Sequence, residues 1–191
     1  MKIITSLLES NLFLENIRQS DRSKIDSLNT DTNISLTESI QKLIADIKNR
    51  GDVAIKEITL NLDGVKLDDI EVHPKHVTAA LKNTNKNLIN SLLTSAQRIT
   101  DYHRKTLPQN WLDETEGYGQ VINPVDSVGI YVPKNLISTV LMTVIPAKIA
   151  GVKKVYVSTP PNMEGLPPNE IMTACHIAKA DKIFSVSGAQ A

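Results

Sequence analysis

Between Ser127 and Val186, short runs of β-branched residues alternate with apolar runs of helical length, and this alternation constrains the fold more than any other feature of the chain. Tyr118–Ile122 and Ser127–Val132 are short, rich in β-branched residues and bounded by Gly, Asn, Pro and Asp, which predicts strands; Val155–Ser158 and Ile183–Val186 are two more. Ser138 and Thr139 stand before Leu141, Met142, Val144, Ile145, Ile149 and Ala150. A helix capped by Ser138 is expected there, ending at Gly151 and kinked or cut short at Pro146. Pro160-Pro161 and Pro167-Pro168 punctuate a loop before a second helix at about 168–179. Strand, helix, strand, helix, strand is the order of a parallel sheet wound by right-handed crossovers. The expected fold is therefore α/β, an N-terminal helical region followed by an incomplete Rossmann-like parallel sheet, with residues 1–110 forming the helical region and residues 111–191 the sheet domain.

The helical region is read from its periodicity. Ser35-Leu36-Thr37-Glu38 has the spacing of a capping box, and Ile40, Leu43, Ile44 and Ile47 follow on one face up to Gly51, which predicts a helix over about 36–50. Val53, Ile55, Ile58 and Leu62 continue the pattern to the Asp63-Gly64 turn. Pro74 suits the first turn of a short helix over 74–83. The longest helix is expected from about Lys86 to Lys105, with Ile89, Leu92, Leu93, Ala96, Ile99 and Tyr102 as its apolar stripe and Leu107-Pro108 as its end.

Composition removes several classes of function. Lys plus Arg and Asp plus Glu both number 21, so no net field draws the chain to nucleic acid or an acidic membrane, and aromatic residues at 4% leave little for stacking on bases. Met1–Glu9 is a poor signal peptide, and no apolar run approaches the roughly 18 residues that cross a bilayer. The single cysteine, Cys175, excludes an internal disulfide and fits a reducing compartment, so a cytoplasmic location is expected. No Gly-x-Gly-x-x-Gly fingerprint, phosphate-binding P-loop or Gly-x-Ser-x-Gly elbow is present. Of the four histidines, His73 and His76 flank Pro74 without a third ligand nearby, His103 ends the long helix where a cation is favoured, and Cys175-His176 point about 100° apart on a helix. None makes a metal motif.

Five segments nevertheless carry a specific likeness. Ser127-Val128-Gly129-Ile130-Tyr131-Val132-Pro133, Ser138-Thr139-Val140-Leu141-Met142, Ile145-Pro146-Ala147-Lys148-Ile149-Ala150-Gly151-Val152, Thr159-Pro160-Pro161 and Gly188-Ala189-Gln190-Ala191 together resemble histidinol dehydrogenase, in that family's order and near its spacing. The resemblance implies an NAD-dependent, zinc-containing oxidoreductase of histidine biosynthesis that converts L-histidinol to L-histidine and works as a homodimer. It further implies that Tyr131 and Gln190 contact NAD and that Ser138 lies near the substrate, while the family's zinc ligands and catalytic Glu-His pair correspond to no residue of this chain. The isolated chain is then expected to be inactive, with no membrane or nucleic-acid partner.

Each of the three residues also has an ordinary structural role open to it. Tyr131 can be sheet packing, Gln190 a solvated strand tip, and Ser138 a helix cap. One departure from the family bears on the site: Lys134-Asn135-Leu136-Ile137 replaces a longer loop with two glycines, residues that allow positive φ and close backbone approach. The alternative reading of the chain is a non-catalytic remnant or interaction module that retains part of the fold.

Overall fold

The computed structural model describes residues 32–191, with side chains from Thr37 onward, and the readings of Met1–Glu9 and of the Ser35 side chain fall outside these. Helix α1 spans Thr32–Arg50, so Ser35 lies within it and not at its start. The chain divides between Lys48 and Asn49 into two compact units. The second unit continues with α2 (Asp52–Asp63), α3 (Pro74–Asn83) and α4 (Lys86–Thr106). It then carries a hairpin of β1 (Trp111–Asp113) and β2 (Tyr118–Gln120), followed by β3 (Ser127–Tyr131), α5 (Ile137–Ile149), β4 (Lys154–Thr159), α6 (Asn169–Ala178), β5 (Lys182–Ser185) and a 3₁₀ turn at Gly188–Gln190.

Helix boundaries follow local chemistry. Gly64, at φ 69°, ends α2 in the left-handed conformation, its N–H donating to Leu60 O. Pro74 opens α3, and the His73 imidazole Nδ1 accepts from Lys75 N at 3.2 Å, a capping role that spacing alone did not suggest. On α4 the inward residues are Leu88, Leu92, Ala96 and Ile99; Leu93 and Tyr102, placed on the same stripe by periodicity, are exposed. Similarly, α2 buries Ala54 and Thr59 and leaves Val53 and Leu62 in solvent. The apolar stripe drawn from spacing is wider than the side that meets the core, so its outer members stay in solvent. α5 runs through Pro146 and ends at Ile149, so the proline does not stop it.

Strands β3, β4 and β5 form a three-stranded parallel sheet in that order. Val128 pairs with Val155, Tyr131 with Ser158, and Ser158 with Phe184. The outer edge of β5 is partly closed by an antiparallel segment: Val72 N donates to Ile183 O and Ser185 N to Ile70 O, both at 2.8 Å. The hairpin β1–β2 forms a separate antiparallel pair, with Trp111 edge-on to Tyr118 at 5.8 Å; β1 was not expected from the sequence.

Strand alternation sorts side chains to two faces. Val155, Val157, Thr159, Ile183 and Ser185 are buried on one, where α3, α4, α5 and α6 pack together and build the core with Val140, Leu141, Val144, Ile171 and Met172. Each such aliphatic side chain contributes about 1.5–3 kcal/mol by leaving water. Two polar ties lock the layers: Thr84 and Thr173 share a buried hydroxyl bond at 2.8 Å, and Asp181 accepts from Lys148 Nζ at 2.5 Å and Val155 N at 2.6 Å. Burial works against the Asp181 carboxylate, yet these donors hold it below the usual range. The opposite face carries Gly129, Tyr131, Tyr156, Ser158 and Phe184, exposed or half-buried, with Phe184 sharing a cleft with Asp52 and Lys56 of α2. This mixed helix-and-sheet architecture with a parallel sheet is the α/β class expected.

Candidate functional site

The open face and the carboxyl ends of the strands meet in one hollow of about 290 Å³, lined by Gly129, Ile130, Tyr131, Tyr156, Ser158, Phe184 and Ala191. Its aromatic wall arises from register. Tyr131, Ser158 and Phe184 lie in one row across the three strands, and Tyr156 stands edge-on to Phe184 at 6.1 Å. Gly129 faces the same side, and its α-carbon looks onto open space. Ser158 Oγ donates to Val186 O at 2.9 Å, fastening β4 to the segment that follows β5. The next residue, Ser187, donates its hydroxyl to Asp63 Oδ2 at 2.6 Å and ties that segment to α2. Open α/β sheets bind ligands at this end of their strands.

Tyr131, at the end of β3, is 45% exposed and belongs to the hollow. Gln190 is not a solvated strand tip: it is 6% exposed, and both Nε2 and Oε1 are buried without a hydrogen-bond partner. Its neighbour Ala191 lines the hollow, so the structure brings the Gln190 turn and Tyr131 to one place. Ser138 stands apart. The helix cap is Leu136, with no side-chain cap bond, which makes Ser138 the second residue of α5, exposed and outside the hollow's lining. The expectation that Ser138 caps the helix is therefore corrected. The cause is the tight turn before it, where Leu136 N donates to Pro133 O at 3.2 Å and the helix begins directly afterwards.

That turn also answers the missing glycines. Asn135 takes φ 70°, and asparagine is the non-glycine residue that best tolerates the left-handed region. The β3–α5 connection thus keeps a glycine-like backbone with a side chain in place. Thr159, the last residue of β4, is a further buried polar group without a partner for its hydroxyl. Sequence reasoning passed over Tyr156, Ser158, Phe184 and Thr159; the signal available was the period-two alternation of Lys154–Thr159, which sets Tyr156 and Ser158 on one face.

The remaining chemistry-bearing residues do not converge. His73 and His76 line a polar cleft with Asp68, Asp69, Glu71 and Glu164, but among the described residues no three His, Cys, Asp or Glu side chains form a metal-holding group. His176 is exposed while Cys175 is fully buried, and burial pushes the Cys175 thiol up to about 12. No helix among the described residues is long and apolar enough to cross a membrane.

Comparison with known proteins gives the site a context. The family model for histidinol dehydrogenase matches residues 27–191. The histidinol dehydrogenase of Methanothermobacter thermautotrophicus is 36% identical over 158 residues, covering 80% of this chain and 37% of that protein. That of Methanococcus maripaludis is 39% identical over 170 residues, covering 84% and 39%. The crystal structure of histidinol dehydrogenase from Elizabethkingia anophelis matches with a TM-score of 0.78 and 29% identity over 81% of this chain and 37% of that one. The chain spans about two fifths of the length of these relatives.

Proposed function

This chain belongs to the histidinol dehydrogenase family, and we propose that it supplies the sheet edge at which such an enzyme holds NAD, in the oxidation of L-histidinol to L-histidine. The observation that carries the reading is the Gln190 amide, buried with both polar atoms unpartnered beside the Tyr131 hollow. A buried amide without partners costs roughly 1–3 kcal/mol, and a ligand that supplies a donor and an acceptor repays it. The residues fit NAD in two further respects. Tyr131 offers a half-exposed aromatic ring at the strand end, and the first N–H groups of α5 have no side-chain cap, leaving donors and the positive end of the dipole for an anionic group.

In this reading Gln190 and Tyr131 hold the cofactor, and the wall of Tyr156 and Phe184 excludes water from one side of it. NAD, when bound, accepts the hydride released from the alcohol carbon. Ser138, exposed in the first turn of α5, is assigned to the substrate side. Zinc is a family requirement that the described residues do not fit, so no step is assigned through it; a homodimer belongs to the family-based reading, and a cytoplasmic location to the reading of the single cysteine.

The chain alone should not turn over. Purified protein given NAD and L-histidinol should form no NADH above the protein-free rate, because no described residues assemble a general base beside a metal-oriented substrate. Sustained NADH formation with histidinol as the only alcohol would overturn the proposal. The open sheet face favours a second reading, an interaction module that keeps part of the fold; such a module has no reason to bind NAD, and that separates the two.

A further inference from the structure

We infer that Gly188 is a positioning residue for the Gln190 amide, setting the orientation in which that amide meets a ligand. The inference rests on the reading of Gln190 as an NAD contact. Gly188 opens the 3₁₀ turn with φ 64°, and the turn folds the Gln190 side chain back over the Gly188 α-carbon. A β-carbon built on Gly188 would lie 2.8 Å from Gln190 Oε1, 3.5 Å from Cδ and 3.6 Å from Nε2. All three contacts are with the amide group itself and none with backbone, so a side chain at 188 is opposed by a group proposed to touch NAD.

Two constraints therefore meet at Gly188. The left-handed backbone favours glycine for conformational reasons alone. The second constraint is separable: space above the α-carbon is occupied by an amide that has no other protein group to hold it, since neither of its polar atoms has a hydrogen-bond partner. The segment leading into the turn is tied down by Ser187 to Asp63 and by Ser158 to Val186. A methyl group at 188 would stand 2.8 Å from the present Oε1 position, so the amide must leave that position.

The test compares Gly188→Ala, Gly188→Asn, Gln190→Ala and the double variant Gly188→Ala/Gln190→Ala in the full chain. Asparagine tolerates the backbone but still carries the β-carbon, so it separates strain from collision. The first readout needs no ligand: hydrogen exchange of the Gln190 side-chain amide by NMR should be slow in the parent and fast in both Gly188 variants. The second is NAD affinity from titration of the Tyr131 and Ala191 backbone signals. Gln190→Ala, Gly188→Ala and the double variant should each weaken NAD by about fivefold, the weight of one hydrogen bond, with no additivity. A Gly188→Asn variant with the parent's slow exchange, or a double variant weakened by the product of the single effects, would overturn the role of Gly188. If Gln190→Ala binds NAD like the parent, Gln190 is not an NAD contact, and the inference about Gly188 falls with that reading. If Gln190→Ala weakens NAD and Gly188→Ala does not, the NAD reading stands and the inference alone fails.

Discussion

At the scale of single residues, Gln190 keeps both amide atoms from water with nothing to bond, next to a residue that lines the hollow, whereas Thr59 and Thr159 bury only a hydroxyl within the packed core. Cys175 is the contrasting case. It is fully buried on α6, and desolvation of the thiolate raises its pKa to about 12. We predict that Cys175 reacts with an alkylating reagent at pH 8 at least about a hundredfold more slowly in the native chain than in denaturant, since the thiolate is both scarce and shielded. Labelling at the denatured rate under native conditions would show that α6 is not packed as described. Tyr131 as a strand-end residue was legible in sequence; the burial of Gln190 was not, because it depends on the fold-back of a turn onto Gly188, a contact that composition and spacing do not encode.

At the scale of elements, apolar periodicity, proline placement and β-branched runs located α2 to α6 and the three parallel strands, but mis-sorted some faces. Leu93 and Tyr102 share a stripe with Leu92 and Ile99 by spacing, yet α4 turns only its Leu88–Leu92–Ala96–Ile99 line inward, because α5 and α6 pack against it from one side. β1 escaped notice because three residues, Trp111–Asp113, are too few for alternation to register. The β3–α5 turn is the element on which the altered loop bears. With Asn135 at φ 70°, Asn135→Gly should leave stability unchanged or slightly raised, whereas Asn135→Val should cost about 1–2 kcal/mol, since a β-branched residue resists the left-handed region. Urea denaturation of the two variants checks this. Equal midpoints would mean that the turn is not left-handed in solution.

At the scale of the whole molecule, α3 to α6 pack together on one face of the sheet of the second unit, while the other face leaves Tyr131 exposed and Tyr156 and Phe184 half-buried, and parallel sheets are ordinarily covered on both. Ile70–Val72 pair along the outer edge of β5, so the apolar surface left to a partner lies on the face of the sheet, in Tyr131, Tyr156 and Phe184. Such a patch invites association. Sedimentation velocity should show a weight-average mass that rises with protein concentration, and Phe184→Lys should lower that association. A single concentration-independent monomer in the parent would show that the face is stable in water as it stands. The α/β class was legible in sequence because alternation of element types dictates it; the pairing of Ile70–Val72 along β5 was not, because it depends on which distant segments meet.

NAD titration against the isotopically labelled chain tests the central claim most directly. The site has an unpaired amide, an aromatic wall and an uncapped helix start, but Tyr131 is half-exposed, and Lys134 and Asn135 stand where glycines would let backbone approach closely. Binding should therefore be saturable and weak, with Kd near or above about 1 mM, equivalent to roughly 4 kcal/mol. The backbone signals that move should be those of Tyr131, the first turn of α5 and the Gly188–Ala191 turn. Micromolar affinity, no response at ten times that Kd, or shifts confined to the His73–His76 cleft would contradict the account.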